Sequence, residues 1–211
     1  MRTDQLVALL ASDGTAPRPI APRLIGRGGA ALFVAAMLAL AVLGVRDDLL
    51  AALADPVVLM KWILPLAVAI PALRAALHLT QPQMRRVPAQ VGVLAVVCLA
   101  LVWLAVSGLA ARPGTLWPIM RGNTLLVCLT SISLISALPL GLGLMILRDG
   151  ASPAPARSGA LLGAAVGGFA AAFYALHCNE DAPLFFLTWY GLAILIVSAV
   201  GALAGRRMLR W

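Results

Sequence analysis

SGALLGAAVGGFAAAFYALHCNEDAPLFFLTWYGLAILIVSAVGALAGRR, residues 158–207, holds two long apolar runs parted by the short polar break CNEDAP. A helix needs about 20 apolar residues to cross a hydrocarbon core of about 30 Å, and each run is of that length. Strand alternation is absent from both. In lipid every backbone N–H and C=O must find a partner within its own segment, so the runs read as two membrane-crossing helices joined by a hairpin. The same alternation of apolar run and polar break recurs toward the N-terminus. It predicts crossings at Gly29–Val45, Val57–Leu79, Ala89–Leu109, Asn123–Leu147, Gly159–His177 and Leu184–Gly205. The expected fold is therefore all-α: a polytopic membrane protein built as a bundle of six transmembrane helices. Residues 1–28 form an N-terminal segment, 29–205 the membrane domain and 206–211 a basic tail.

Composition agrees with this division. Hydrophobic residues make up 62% of the chain and charged residues 11%, with a mean hydropathy of +0.99, which excludes an ordinary soluble domain. A net charge of +8 would point to nucleic acid in a soluble protein. Here the cations gather at the breaks and read as orientation markers, with no direct nucleic-acid contact. If the N-terminus is cytoplasmic, Arg2, Arg18, Arg23, Arg27, Arg85, Arg86, Arg148, Arg157, Arg206, Arg207 and Arg210 lie inside, and only Arg46, Arg112 and Arg121 outside. Both termini are then expected in the cytoplasm. Lys61 and Arg74 fall within the second crossing, near enough to its ends to snorkel.

Small residues mark the packing. Gly159, Gly163 and Gly167 recur every four residues in the fifth crossing, and Gly201 and Gly205 repeat the device in the sixth. Such ribbons let helix backbones approach closely, either within one bundle, the simpler expectation, or across a dimer. Trp62, Trp103, Trp117, Tyr174, Trp189 and Tyr190 read as an interfacial belt at the outer face.

Few residues are equipped for chemistry. Cys178 closes the fifth crossing beside His177, and Cys128 lies about 8 Å inside the outward end of the fourth at helical rise. The two thiols therefore share one side of the membrane. Cys98 falls near mid-bilayer and reads as a buried apolar residue, while His78 sits at the opposite end, too far away to share a metal with His177. A same-side thiol pair is open to a structural disulfide, a redox switch or a soft-metal site. A disulfide requires Cα atoms about 4.4–6.8 Å apart. Soft Cu, Cd or Zn would take Cys128 and Cys178, helped by His177 or the thioether of Met120. Plain packing of unpaired cysteines is the alternative, and Glu180 and Asp181 read as solvated loop charges. No paired mid-membrane acids, serine hydrolase setting or GxxxxGK[ST] loop is present, so no enzyme is expected. A small transporter, resting on Arg74, Pro65, Pro71 and Pro139, or a structural membrane subunit remains the alternative to a sensor.

The first residues, TDQLVALLA (3–11), form a short amphipathic helix capped by Thr3 or Asp4 and presenting Leu6, Leu9 and Leu10 to the membrane surface or to a protein groove. This opening, the six crossings, Cys128 in the fourth, and HCNED followed by PLFFLTWY together resemble the NrsF family of bacterial membrane anti-sigma factors. The resemblance implies an inner-membrane protein that sequesters a cytoplasmic extracytoplasmic-function sigma factor and releases it under heavy-metal or oxidative stress. Cys128 and Cys178 would be the periplasm-facing sensing thiols. Thr3, Asp4, Leu6, Leu9 and Leu10 would help hold the sigma factor. No cofactor would be obligatory, beyond a transient soft metal ion at the thiols. The HxxxCxxC zinc motif of the common anti-sigma class is absent from the sequence, so the grip on the partner would differ.

Overall fold

The computed structural model of the chain describes residues 2–12, 19–81 and 89–210; Arg18, Arg85 and Arg86, used above as orientation markers, lie outside them. The described residues are helical throughout, joined by turns and short loops. Helix α1 spans Thr3–Ser12, and α2 (Ile20–Arg23) runs through a π-helical turn (Leu24–Gly28) into α3 (Gly29–Leu43). There follow α4 (Leu49–Ala54), α5 (Pro56–His78), α6 (Ala89–Ala110), α7 (Leu116–Arg121), α8 (Leu125–Leu147), α9 (Pro155–Tyr174) and α10 (Pro183–Met208). Six of the resulting segments are long and apolar enough to cross a membrane: Ile20–Leu43, Pro56–His78, Ala89–Ala110, Leu116–Leu147, Pro155–Tyr174 and Pro183–Met208.

Local chemistry sets the ends. Asp55 caps α5, its carboxylate accepting from the amides of Val57 at 2.7 Å and Val58 at 3.2 Å, while Pro56 fills the first position, where no amide is needed. Pro155 and Pro183 open α9 and α10 in the same way. Gly44, at φ 81°, ends α3 in a conformation that a Cβ would disfavour. Four crossings differ by more than one residue from the sequence reading, the fifth running Pro155–Tyr174 rather than Gly159–His177. The first crossing begins at Ile20 rather than Gly29: Leu24 is buried with Leu140, Leu144 and Leu162, and Arg23, which lowers the local hydropathy, is satisfied by Asp149 at 2.5 Å. The fourth apolar segment begins at Leu116 rather than Asn123, and Gly122, at φ 54°, parts it into two helices. The last helix continues to Met208, so part of the expected tail is helical.

Helix α9 lies at the centre of the bundle, packed by α10, α5 and α8. Its apolar stretch is 72% buried, against none of that of α6 at the periphery. Glycine makes this possible. A Cβ on Gly159 would collide with the carbonyl oxygen of Gly201 in α10, and one on Gly163 would sit 2.5 Å from that of Val197. On another face, a Cβ at Gly168 would lie 2.6 Å from the Pro65 carbonyl of α5. Gly167 is looser, its nearest neighbour being the Cα of Ile194 at 3.2 Å. The ribbon is thus spent on contacts within the chain. Cys98 lies exposed on α6, which packs on α5 and α10 at the edge of the bundle and buries none of its residues, and not in the core as expected.

Backbone atoms cannot swing aside as side chains do, so Gly159→Ala and Gly163→Ala should each destabilise the protein by about 1–3 kcal/mol. Gly191→Ala, with nothing within 4 Å of the added carbon, should be neutral. Thermal unfolding in detergent micelles measures the difference, and equal midpoints for all three would refute the close seam.

Candidate functional site

The functional groups collect where α9 ends. After Tyr174 the chain turns, the amides of His177 and Cys178 both donating to the Tyr174 carbonyl at 2.9 and 3.1 Å, and then passes in non-helical conformation to Pro183. Two other loops dock on this turn. From the α3–α4 loop, the Arg46 amide donates to the Leu176 carbonyl at 2.9 Å, and the Gly44 carbonyl meets His177 Nδ1 at 3.0 Å. From the α7–α8 loop, the Asn123 amide donates to Glu180 Oε1 at 2.7 Å. Trp189 of α10 donates from Nε1 to the Met120 carbonyl at 2.6 Å.

Two cations lock the junction. Arg46 donates from Nη1 and Nη2 to the two carboxylate oxygens of Asp181 at 2.8 and 2.7 Å, a bidentate fork. It donates again from Nε and Nη2 to Asp48 at 2.6 and 2.8 Å. Lys61, the single lysine of the chain, is 0% exposed and donates from Nζ to Asp181 Oδ1 at 2.9 Å and to the Cys178 carbonyl at 2.6 Å. That carbonyl also accepts from Arg46 Nη1 at 3.1 Å. Asp181 and Glu180 are therefore structural anchors and not solvated loop charges, and Lys61 turns into the protein rather than snorkelling to the surface. Burial pushes the Asp181 carboxyl up, but the hydrogen bonds from Arg46 and Lys61 outweigh it and hold the group below the usual carboxylate range. The fork from Arg46 likewise holds Asp48 down. Arg46 itself is held more firmly in its charged form, first by Asp181 and then by Asp48.

Beneath this lock lie the thiols. Cys128 and Cys178 share one buried cluster with Ile132, Phe185, Tyr174 and Tyr190. They are 0% and 2% exposed, and both are free. Tyr174 and Tyr190 pack edge to face at 5.9 Å and are buried here, not set in an interfacial belt; their hydroxyls have no partner among the described residues. His177 is tilted against Tyr174 at 5.7 Å and tied to Gly44. Among the described residues no group of three or more His, Cys, Asp or Glu gathers as a metal site. Each thiol is thus a soft donor enclosed among apolar and aromatic side chains.

The other candidate residues lie elsewhere. Thr3, Asp4, Leu6 and Leu9 are exposed along α1; the Leu10 side chain lies outside the described residues. An apolar cavity of about 220 Å³ opens between α3, α5, α8 and α9, lined by Leu32, Leu73, Pro139, Leu162 and Phe169 among others. Its lining carries no charged or polar side chain, so it offers a polar solute nothing to hold. The sequence reading missed Arg46, Lys61 and Asp181 as one unit. The signal for it was a lone lysine inside a crossing with an acid in the loop at the same end, since an ionisable group at membrane depth calls for a partner.

Fold and site together define an all-helical protein with six helices able to span a membrane and its reactive side chains gathered at one end. The chain belongs to the NrsF family: the family model described as negative regulator of sigma F matches residues 10–211. It is 34% identical over 218 residues to the probable anti-sigma-F factor NrsF of Azospira oryzae, covering all of both chains. It is 32% identical over 221 residues to the anti-sigma-F factor NrsF of Caulobacter vibrioides, again end to end. No solved structure matches it.

Removing the Asp181 carboxylate leaves Lys61 without a counter-ion, holding only the Cys178 carbonyl, while Arg46 keeps Asp48; removing Lys61 takes a desolvated charge away and leaves the Arg46 fork intact. Asp181→Asn should therefore cost about 2 kcal/mol and more than Lys61→Met, the figure lying below that for a fully buried pair because the Asp181 side chain is 32% exposed. The carboxyl pKa is lowered by folding, so the stabilisation is fully present above the unfolded value of about 3.9 and is lost as pH falls through the lower folded value. The melting midpoint should then show no loss from this lock between pH 8 and 5, and an acid-induced fall below that range which Asp181→Asn reduces.

Proposed function

We propose that the chain is an inner-membrane anti-sigma factor. On this reading it holds an extracytoplasmic-function sigma factor at its arginine-rich cytoplasmic end and releases it when Cys128 and Cys178, at the periplasmic end, take up a soft metal ion or are oxidised. The observation that carries the proposal is end-to-end similarity to two proteins named anti-sigma-F factors. The arginine distribution supports the orientation, with both termini cytoplasmic. Helix α1 supports the binding role, since Leu6, Val7 and Leu9 are exposed and available to a protein groove alongside Thr3 and Asp4. A regulatory protein of this kind performs no catalysis and needs no resident cofactor; Cu, Cd or Zn would be a transient occupant of the thiols.

Oxidation would join the two sulfurs as a disulfide, two protons and two electrons passing to the oxidant; a metal would instead displace the thiol protons. Either event would draw on Cys178, whose turn is fastened to α5 and to the α3–α4 loop. A stimulus shifts a two-state equilibrium only by its differential affinity for the two states, and a tenfold to hundredfold release corresponds to about 1.4–2.7 kcal/mol of coupling.

In cells carrying the cognate sigma factor and a reporter, Cys128→Ser and Cys178→Ser, singly and together, should abolish induction by copper, cadmium and oxidant while leaving repression in place. Deleting residues 1–12 should raise uninduced expression severalfold. A doubly substituted protein that still responds normally would sink the sensing role, and full repression without α1 would move partner binding to the loops.

A further inference from the structure

Cys178 lies beyond the last helical residue of α9 and is tied to that helix through its amide alone, which donates to the Tyr174 carbonyl at 3.1 Å. Its carbonyl is held by two charged donors, Lys61 Nζ at 2.6 Å and Arg46 Nη1 at 3.1 Å. The same two cations grip Asp181 three residues later, at 2.9 Å from Lys61 and at 2.8 and 2.7 Å from Arg46. The turn 178–181 is thus pinned at both ends. With the Cys178 amide held by Tyr174 and its carbonyl held by the two cations, the residue is restrained on both sides of its Cα, which narrows the direction in which the Cα–Cβ bond leaves. For Cys178 that direction leads into the cluster containing Cys128.

Lys61 is the unexpected member of this grip. Arg46 comes from the neighbouring loop and has Asp48, 59% exposed, on its outer side. Lys61 comes from α5, well inside a membrane-crossing helix, and is wholly buried. Its flexible stem would allow it to snorkel toward water, and burying an ammonium is costly even when it is paired. Marking orientation requires none of this, because an exposed cation marks it as well. A brace for the turn alone does not require it either, because Arg46 already grips both points.

We infer that Lys61 is a positioning residue of the thiol pair: its ammonium, holding the Cys178 carbonyl and Asp181 together, sets the Cys178 sulfur toward Cys128 and ties that geometry to α5. The inference rests on the reading of Cys128 and Cys178 as the responsive pair, and deepens it by naming the group that keeps them in register.

The test is closure of the pair by copper–phenanthroline in full-length protein reconstituted in lipid nanodiscs, in a Cys98→Ser background so that only two thiols remain. Each disulfide forms with loss of two protons and two electrons to the copper oxidant, and its rate is read by mass spectrometry of the linked peptides. The parent should close fastest. Lys61→Met should close at least tenfold more slowly while melting cooperatively, and Lys61→Arg, which restores a donor and the charge, should recover most of the rate. Asp181→Asn should also slow closure, and Arg121→Gln, an exposed cation at the same end, should not. Where the methionine variant fails to insert, Lys61→Gln, polar and nearly as long, must show the same slowing.

A lysine that merely braces the fold would change the melting midpoint and leave the closure rate of the folded protein alone. Closure of folded Lys61→Met at the parental rate overturns the assignment, as does a parental pair that does not close at all. In the reporter strain Lys61→Met should raise the stimulus concentration for half-response about tenfold. Slow closure of Lys61→Met together with failure of the parent to repress any sigma factor would overturn the anti-sigma reading and leave Lys61 in its role. Normal thiol-dependent release with unaltered closure in Lys61→Met would do the reverse.

Discussion

Two cations that cannot reach bulk water, Arg46 and Lys61, share one carboxylate and one backbone carbonyl, and the geometry of one whole end of the molecule follows from that. In a medium of low dielectric an unpaired ammonium or guanidinium is strongly unfavourable, so the loops that supply the acceptors must stay where the donors are. The acceptors lie between α9 and α10, and the donors lie on α5 and in the loop that precedes it. The pairing therefore fastens elements far apart in sequence at a single point. The docking of Gly44 on His177 and of Asn123 on Glu180 can be read as consequences, since both loops lie against a turn that is already held.

The rest of the bundle is held by a different means. Lipid chains are as apolar as leucine, so helices gain little from hiding hydrocarbon and more from close backbone approach. The α9–α10 seam achieves this where Gly159 faces Gly201 and Gly205 faces the Pro155 carbonyl, a Cβ there falling 2.7 Å from the oxygen. A seam of backbone against backbone has little room to slide. The α5–α9 contact is close at Gly168, where an added Cβ would lie 2.6 Å from the Pro65 carbonyl and 2.9 Å from the Ala69 Cβ, and continues through the buried Ala72, Ala164 and Ala165. The polar lock thus joins α5 to a pair of helices already seamed to each other.

Most of the fold was legible because the bilayer imposes a coarse rule: long apolar runs with punctuated breaks leave helices as the available choice, and the breaks were in plain view. The same coarseness hid the ends. Arg23 and Arg27 dilute the hydropathy ahead of Gly29, so the helical entry at Ile20 could be found only by knowing that Leu24 is buried and that Arg23 meets Asp149. The two cysteines could be assigned to one side from topology. That Tyr174 and Tyr190 close around them could not, because a tyrosine near a helix end is equally at home at an interface. The lock was least legible of all: Lys61 and Asp181 are separated by some of the longest sequence distances in the chain, and each, taken singly, has an ordinary surface explanation. Only the bundle shows that α5 and the α9–α10 turn occupy the same place.

Helix α5 is then the element best suited to carry a disturbance away from the thiols on the proposed reading. Pro65 stands four residues after Lys61, so it removes the amide that would otherwise bond the Lys61 carbonyl, and Pro71 does the same to Ala67. The helix is weakened twice along one stretch, directly below the gripping residue, while α9 and α10 are stiffened by their seam. Bends in helices concentrate at such points. If Cys178 moves toward Cys128 or a bound ion, the seam resists and α5 yields, pulled by its lysine at one end and free to tilt about its prolines. The displacement would emerge at His78 and Leu79, next to Thr80, whose carbonyl accepts from Ala151 at 3.1 Å. That contact joins α5 to the loop between α8 and α9 at the arginine-rich end, so a tilt of α5 would reach the face on which a cytoplasmic partner is proposed to sit.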